Sequence, residues 1–258
     1  MPDTASTVGG LRHVEHVMGT VFTFDIRDEP TLAIHRALSQ AVRHLHRVDA
    51  VFSTYRSDSH ISRLDRGDIR LADCPPEVGE VLSLCARATH DSDGYFSIVP
   101  AGHLDPSGLV KGWAAETASH ILLDAGARHT CVNGGGDIQL RGRPAAGAPW
   151  RIGIAHPLRP GELATVIAAH HDLAVATSGT AERGAHVLAP RDGTPVTTLA
   201  SLTVVGPRLT MADAYATAAF ARGEDARDWL ESLPDHEALA ILPDGRQWRT
   251  SGFHRHGS

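Results

Sequence analysis

Two oxygen-bearing side chains stand four residues apart in the alanine-rich run "TMADAYATAAF", residues 210–220. Alanine is the best helix former, so the run is predicted to be helical, and the i,i+4 spacing sets the Asp213 carboxylate beside the Thr217 hydroxyl on one face. The pair has two readings: half of a site for a hard cation, or a helix-entry carboxylate followed by a back-bonded hydroxyl. Three more stretches join flexible backbone to reactive or ligating groups. In "DPSGLVKG", residues 105–112, Asp105 or Ser107 can cap a helix, Gly108 permits close backbone approach, and Lys111 falls in the first turn. That is an anion or nucleotide site built on free N–H groups, or an ordinary cap with a solvated lysine. "NGGGD", residues 133–137, is a hairpin turn, or a place where backbone meets a flat ligand beside Asn133 or Asp137. The G-x-G-x-x-G spacing of a dinucleotide site is missing from it. In "ATSGTAERGAHVLAPRDGTPV", residues 176–196, His186 stands before a turn-rich segment, as a structural or a catalytic histidine.

These groups must be held by regular elements. Apolar–polar alternation in "VMGTVFTFDI" predicts a strand over 17–26. Leu32, Ile34, Leu38, Val42, Leu45 and Val48 recur at helical spacing and predict an amphipathic helix over 31–48. A polar loop with a short helix follows, and then a second helix over 76–90 that starts at a Pro-Pro signal. "DSDGYFSIVPAGHLDPSG" reads as a long loop, and "LVKGWAAETASHILLDAGA" as a helix ending at Gly126. The second half is mostly strand: the pair flanking the triple glycine, "WRIGIAHP", "LATVIAAHHDLAVATSG" and "SLTVVGP". After the 210–220 helix come a helix in "DARDWLESL" and a hairpin in "EALAILPDGRQWRTSGF". Strands neither alternate regularly with helices nor fully segregate from them, which favours an α+β architecture.

The bulk properties are those of an ordinary globular chain. Its 258 residues, 42% hydrophobic and 21% charged, suit one domain. We expect that domain to span 1–258, with 1–16 a flexible N-terminal segment and 250–258 a flexible tail. The 24 basic residues are nearly all arginine and scattered, and the net charge is −6, so no nucleic-acid partner is expected. Cys74, Cys85 and Cys131 lack metal or disulfide spacing, and the 17 histidines form no zinc pattern. No signal peptide, lipobox or membrane span is legible, so a cytoplasmic protein is expected, monomeric or homodimeric.

Singly, each motif is ambiguous; their order is not. "MGT", "FSTYRSDSHISRL", "DGYFSIVP", "DPSGLVKGWA", "VNGGGDI", "ATSG" with the later His186 and Pro190, and "ADAYATA" closely resemble, in sequence, the ApbE-type flavin transferases from about Met18 to Gly223. The resemblance implies a T-fold-related α+β structure, with mixed sheets flanked by helices and an active site in a cleft between two halves. It implies Mg2+, or Mn2+ in its place, held by Asp213, Thr217 and the Gly108 carbonyl. FAD is the implied substrate. Its FMN half passes to a Ser or Thr hydroxyl of an acceptor flavoprotein through a phosphoester bond, and AMP leaves. His186 is the implied base and, with Asp213, forms the catalytic pair. Met18, Tyr55, Tyr95, Phe96, Ser97, Asp105, Lys111 and Leu188 are the implied flavin contacts. Two family aspartates are replaced, at Ser97 and Ala189, which leaves hydrolysis of FAD to FMN and AMP, or FAD binding without catalysis, as alternatives.

Overall fold

A computed structural model of the chain describes residues 10–99, 102–179 and 194–256. Ten strands and six helices follow in the order β1 (Leu11–Val17), β2 (Thr20–Ile26), α1 (Leu32–Phe52), α2 (His60–Asp65), α3 (Pro76–Asp91), α4 (Ser107–Asp124), β3 (Thr130–Gly134), β4 (Asp137–Arg141), β5 (Trp150–Ala155), β6 (Leu163–Ala169), β7 (Leu173–Gly179), β8 (Ser201–Gly206), α5 (Leu209–Arg222), α6 (Ala226–Ser232), β9 (Glu237–Ile241) and β10 (Gln247–Arg249). Eight strands form one sheet, ordered β1-β2-β3-β4-β7-β8-β9-β10, and β5 and β6 form a separate pair. Every pairing between these strands is antiparallel. The architecture is the α+β one the sequence predicts.

Side-chain alternation explains why the sheet is covered on both faces. Ala174, Ala176, Leu202, Val204, Ala238 and Ala240 join the helices in the larger core. Their neighbours Val175, Val205 and Leu239 turn the other way and pack with Ile138, Leu140, Trp150, Ile167 and Phe253. The interior strand β8 is therefore buried along its whole length. On the helix side, α1 buries Ile34, Ala37, Leu38, Ala41, Leu45 and Val48, one apolar stripe at helical spacing. Its residues Phe52 and His44 meet the Trp113 ring of α4 edge-on at 5.8 and 5.5 Å. Trp113 also donates from Nε1 to Glu80 of α3 at 3.1 Å, so a single indole joins three helices.

Three expectations change. The strand over 17–26 is half of a hairpin: β1 pairs with β2 from Leu11–Ile26 to Val17–Thr20, around a turn in which Met18 and Gly19 have φ of 56° and 67°. Two successive positive φ values make the tight turn that suits a twisted hairpin, and the methionine in that position gives no sequence signal. Residues 11–16 of the expected flexible segment are thus strand; residues 1–9 lie outside the described residues. The expected flexible tail is also anchored. Thr250 bonds the Ala238 backbone, Phe253 is fully buried, and the His256 carbonyl accepts from Ala168 N–H at 2.7 Å. Only residues 257–258 of that tail lie outside the description.

Candidate functional site

Helices α4 and α5 pack against each other with unusual closeness, and glycine is the reason. A Cβ on Gly112 would lie 2.7 Å from both Asp213 Cβ and the Leu209 carbonyl oxygen, and one on Gly108 would lie 3.2–3.3 Å from Thr217 and Phe96. With hydrogen in their place, the backbone of α4 touches the side chains of α5. Gly112 N–H donates to Asp213 Oδ2 at 2.8 Å. One turn back along α4, the Gly108 carbonyl faces Thr217 Oγ1 at 3.5 Å. That distance is the outer limit of hydrogen bonding, so neither oxygen is strongly committed to the other. Carboxylate, hydroxyl and carbonyl therefore meet along one seam.

The alanines have a structural role in this. Ala212, Ala214, Ala216, Ala218, Ala219 and Ala221 are all buried, so α5 is enclosed nearly all round and is not amphipathic. Asp213 itself is 5% exposed and sits inside the helix, past its first turn. The helix-entry reading of this carboxylate fails on that ground. A buried carboxylate is costly unless it is hydrogen-bonded or faces a cation.

Strand β4 anchors both helices through its polar residues. Alternation sends Ile138 and Leu140 to one face and leaves Asp137 and Gln139, 1% and 0% exposed, on the helix side. Asp137 forms an ion pair with Lys111 of α4 through Oδ2, while its Oδ1 accepts from Thr177 N–H of β7 at 2.9 Å. Gln139 Oε1 accepts from Leu209 N–H, the first amide of α5, at 3.0 Å. Lys111 is the chain's one lysine, and its ammonium is held by Asp137; the solvated-lysine reading is set aside. The triple glycine is the turn between β3 and β4, with φ of 61° at Gly135 and 96° at Gly136. Asn133 closes that turn by accepting from Gly136 N–H at 2.8 Å.

The other predicted residues are spread around this seam. Asp105, just before the Pro106 that opens α4, accepts from Ser107 N–H at 2.9 Å. It lines a cavity of about 450 Å3 with Tyr55, Ser62, Asp65, Arg66 and His103. Tyr55, at 99% exposure, presents its whole ring to solvent at this cavity. Asp65 shapes the wall: Leu104 N–H at 2.7 Å and His103 Nδ1 at 3.1 Å hold its carboxyl below the usual range. Phe96 is buried, its ring against Gly108 and its N–H bonded to Ser92 Oγ at 2.9 Å. It supports the start of α4 from beneath and does not line the cavity. The Tyr95 ring lies under the Arg222 guanidinium, 4.9 Å away at the end of α5. Ser97 Oγ accepts from Val99 N–H at 3.2 Å, and Met18 sits at the β1–β2 turn. His186 and Leu188, and with them Ala189, lie outside the described residues.

Sequence reading alone missed Glu116, Gln139 and Gly112 as members of this region. A lone glutamate inside the apolar stretch "LVKGWAAETA" was the available signal, since a charge buried in a helix interior needs partners.

As a ligand set, one carboxylate, one hydroxyl and one carbonyl suit a hard cation that prefers oxygen and keeps room for water or phosphate. Among the described residues no three His, Cys, Asp or Glu side chains gather as a metal cage.

The sheet and the closely packed helix pair define an α+β protein, and the three oxygens on the seam could hold a cation. This chain belongs to the ApbE family, whose model matches residues 18–102 and 99–240. An FAD:protein FMN transferase of Haemophilus influenzae is 31% identical over 137 residues, 49% of this chain and 40% of that protein. One of Vibrio cholerae is 24% identical over 267 residues, 81% of this chain and 80% of its own length. The chain thus covers less than half of the first relative and most of the second. The fold matches the solved flavin transferase ApbE of Vibrio cholerae with a TM-score of 0.84 at 22% identity, over 96% of this chain and 99% of that one.

Proposed function

We propose that this protein transfers the FMN half of FAD to a Ser or Thr hydroxyl of an acceptor flavoprotein, with Mg2+ bound and AMP released. The observation that carries the reading is the convergence of Asp213, Thr217 and the Gly108 carbonyl on one seam, in a chain of this family. The names of the curated relatives support the same activity.

The reaction joins the acceptor oxygen to the FMN-side phosphorus and breaks the bond from that phosphorus to the AMP oxygen. The hydroxyl proton goes to a base, and AMP carries away the displaced electron pair. Asp213, Thr217 and Gly108 would hold the cation, which neutralises charge on the diphosphate. His186 is the proposed base. Lys111, oriented by Asp137, places the chain's one lysine ammonium near the start of α4, where it would favour an anionic phosphate. Tyr55 offers an open aromatic face at the cavity that Asp105 lines, which suits a flat ring system. Phe96 acts beneath α4, and Tyr95 acts through Arg222.

The test is mass spectrometry of a candidate acceptor after incubation with this protein, FAD and Mg2+. A mass increase of one FMN on a Ser or Thr, lost when EDTA is added, is the expected result. FMN and AMP formed with no acceptor modified would make it an FAD pyrophosphatase. FAD recovered intact would overturn both.

A further inference from the structure

Helix α5 has no cap of its own. Arg208, the residue before it, makes no side-chain capping bond, and the first turn holds no acidic residue. Its opening amides are instead satisfied from elsewhere in the chain. Leu209 N–H is taken by Gln139, and Thr210 N–H by Glu116 Oε2 at 2.9 Å. Glu116 does more: Oε2 also accepts from the Thr210 hydroxyl at 2.6 Å, and Oε1 accepts from Arg208 Nε at 2.6 Å. The carboxylate is 2% exposed, so it is withdrawn from water and fully engaged by protein donors.

The spacing of these contacts is regular. On α4, Glu116, Gly112 and Gly108 stand at intervals of four, along one face. On α5, Thr210, Asp213 and Thr217 stand at intervals of three and four, along one face. The helices are antiparallel, and the contacts pair in order: Glu116 with Thr210, Gly112 with Asp213, Gly108 with Thr217. The first pair is multiply bonded through side chains, while the other two run through the α4 backbone.

We infer that Glu116 is a positioning residue that fixes the register of α5 along α4, and so places Asp213 and Thr217 opposite the Gly108 carbonyl. The inference rests on the proposed cation site at those three residues. It needs no contact between Glu116 and the ion. A sliding or tilting of α5 by a fraction of a turn would separate the three oxygens while leaving both helices intact.

Two variants separate positioning from charge. Glu116→Gln keeps the size and loses the charge, and Thr210→Val keeps the Glu116 charge and loses the hydroxyl link. Each would be titrated with Mn2+ alone and followed by electron paramagnetic resonance, beside the wild type and Asp213→Asn. FAD affinity without metal and the melting temperature are read in parallel. Glu116→Gln is expected to weaken Mn2+ binding about tenfold, the low end of what losing a residue that orients metal ligands costs. Thr210→Val should weaken it about fivefold, and FAD affinity without metal should stay within about twofold in both, as expected for one lost hydrogen bond remote from the nucleotide. Unchanged Mn2+ affinity in Glu116→Gln would overturn the inference. So would an effect in Glu116→Gln with none in Thr210→Val, which would be Coulombic, or FAD affinity falling in step with Mn2+. Should Glu116→Gln not fold, Thr210→Val alone decides by the same criteria. A wild type that takes up no Mn2+ would overturn the cation reading, and this inference with it.

Discussion

Gly112 N–H and Asp213 Oδ2 are joined at 2.8 Å, although 101 residues separate them in the chain. The bond gives Asp213 two duties, since one carboxylate braces a helix contact and belongs to the proposed cation site. A substitution therefore reports on both unless it is chosen to separate them.

Asp213→Asn keeps an oxygen for Gly112 N–H and removes the charge. We expect a melting temperature close to wild type and a fall in FMN transfer of at least about 100-fold. Asp213→Ala loses the charge-assisted bond to Gly112 as well, which costs about 1.5–3 kcal/mol. Thermal melts and transfer assays on the two variants check this. Equal activity in Asp213→Asn and wild type would reject the cation role.

Gly112→Ala is expected to be destabilising despite alanine's better helix propensity. The added methyl would meet Asp213 Cβ and the Leu209 carbonyl at 2.7 Å, and overpacking of this kind costs about 1–3 kcal/mol. Gly108→Ala, with contacts of 3.2–3.3 Å, should cost less stability and more activity, because the methyl pushes on Thr217. Denaturant titration and transfer rates, measured side by side, check the ordering.

Lys111→Ala is expected to weaken FAD binding, and Lys111→Arg should not restore it. Arginine's planar fork cannot occupy the narrow space in front of buried Asp137 as a compact ammonium does. Asp137→Asn keeps an acceptor for Thr177 N–H but not the ion pair. A charge-assisted bond is worth roughly 1.5–3 kcal/mol, so FAD affinity should fall roughly tenfold to a hundredfold. Fluorescence quenching on FAD titration reads this directly.

Acid sensitivity should trace in part to Glu116. Burial pushes its carboxyl up, but the Thr210 hydroxyl and N–H and the Arg208 guanidinium outweigh that and hold it below 4.5. A depressed folded value means the unfolded chain binds the proton more readily, so the contribution is full above about pH 4.5 and is lost as pH falls through the folded value. Melting temperatures followed from pH 7 to pH 3 should drop less steeply on the acid side in Glu116→Gln than in wild type.

The adjacency of Asp213 and Thr217 is readable from the sequence because its signal is local, one helical turn, whereas the Gly108 carbonyl joins them only through the family resemblance. The amphipathic face of α1 is readable for the same reason, since helical period and burial coincide. What escapes depends on partners distant in sequence. An alanine-rich helix carries no stripe, so the burial of α5 on every side comes from the strands and α4 that enclose it. Asp137 and Gln139 look like turn and surface residues until strand pairing turns both toward the helices. The hairpin at Met18 hides because a positive φ at methionine has no compositional mark, and the end of the chain is held by Thr250 and Phe253, two residues of ordinary type.

The chain order of the sheet has a kinetic consequence. β2 and β3 pair directly although α1 to α4 lie between them, and β8 and β9 pair although α5 and α6 lie between them. Each helix of the Gly112–Asp213 contact therefore belongs to a different excursion from the sheet, and neither half of the seam contains a complete ligand set. Contacts of such sequence separation form only after costly loop closure. No early, locally structured intermediate can hold the ion, so added divalent metal should slow unfolding while leaving the refolding rate unchanged.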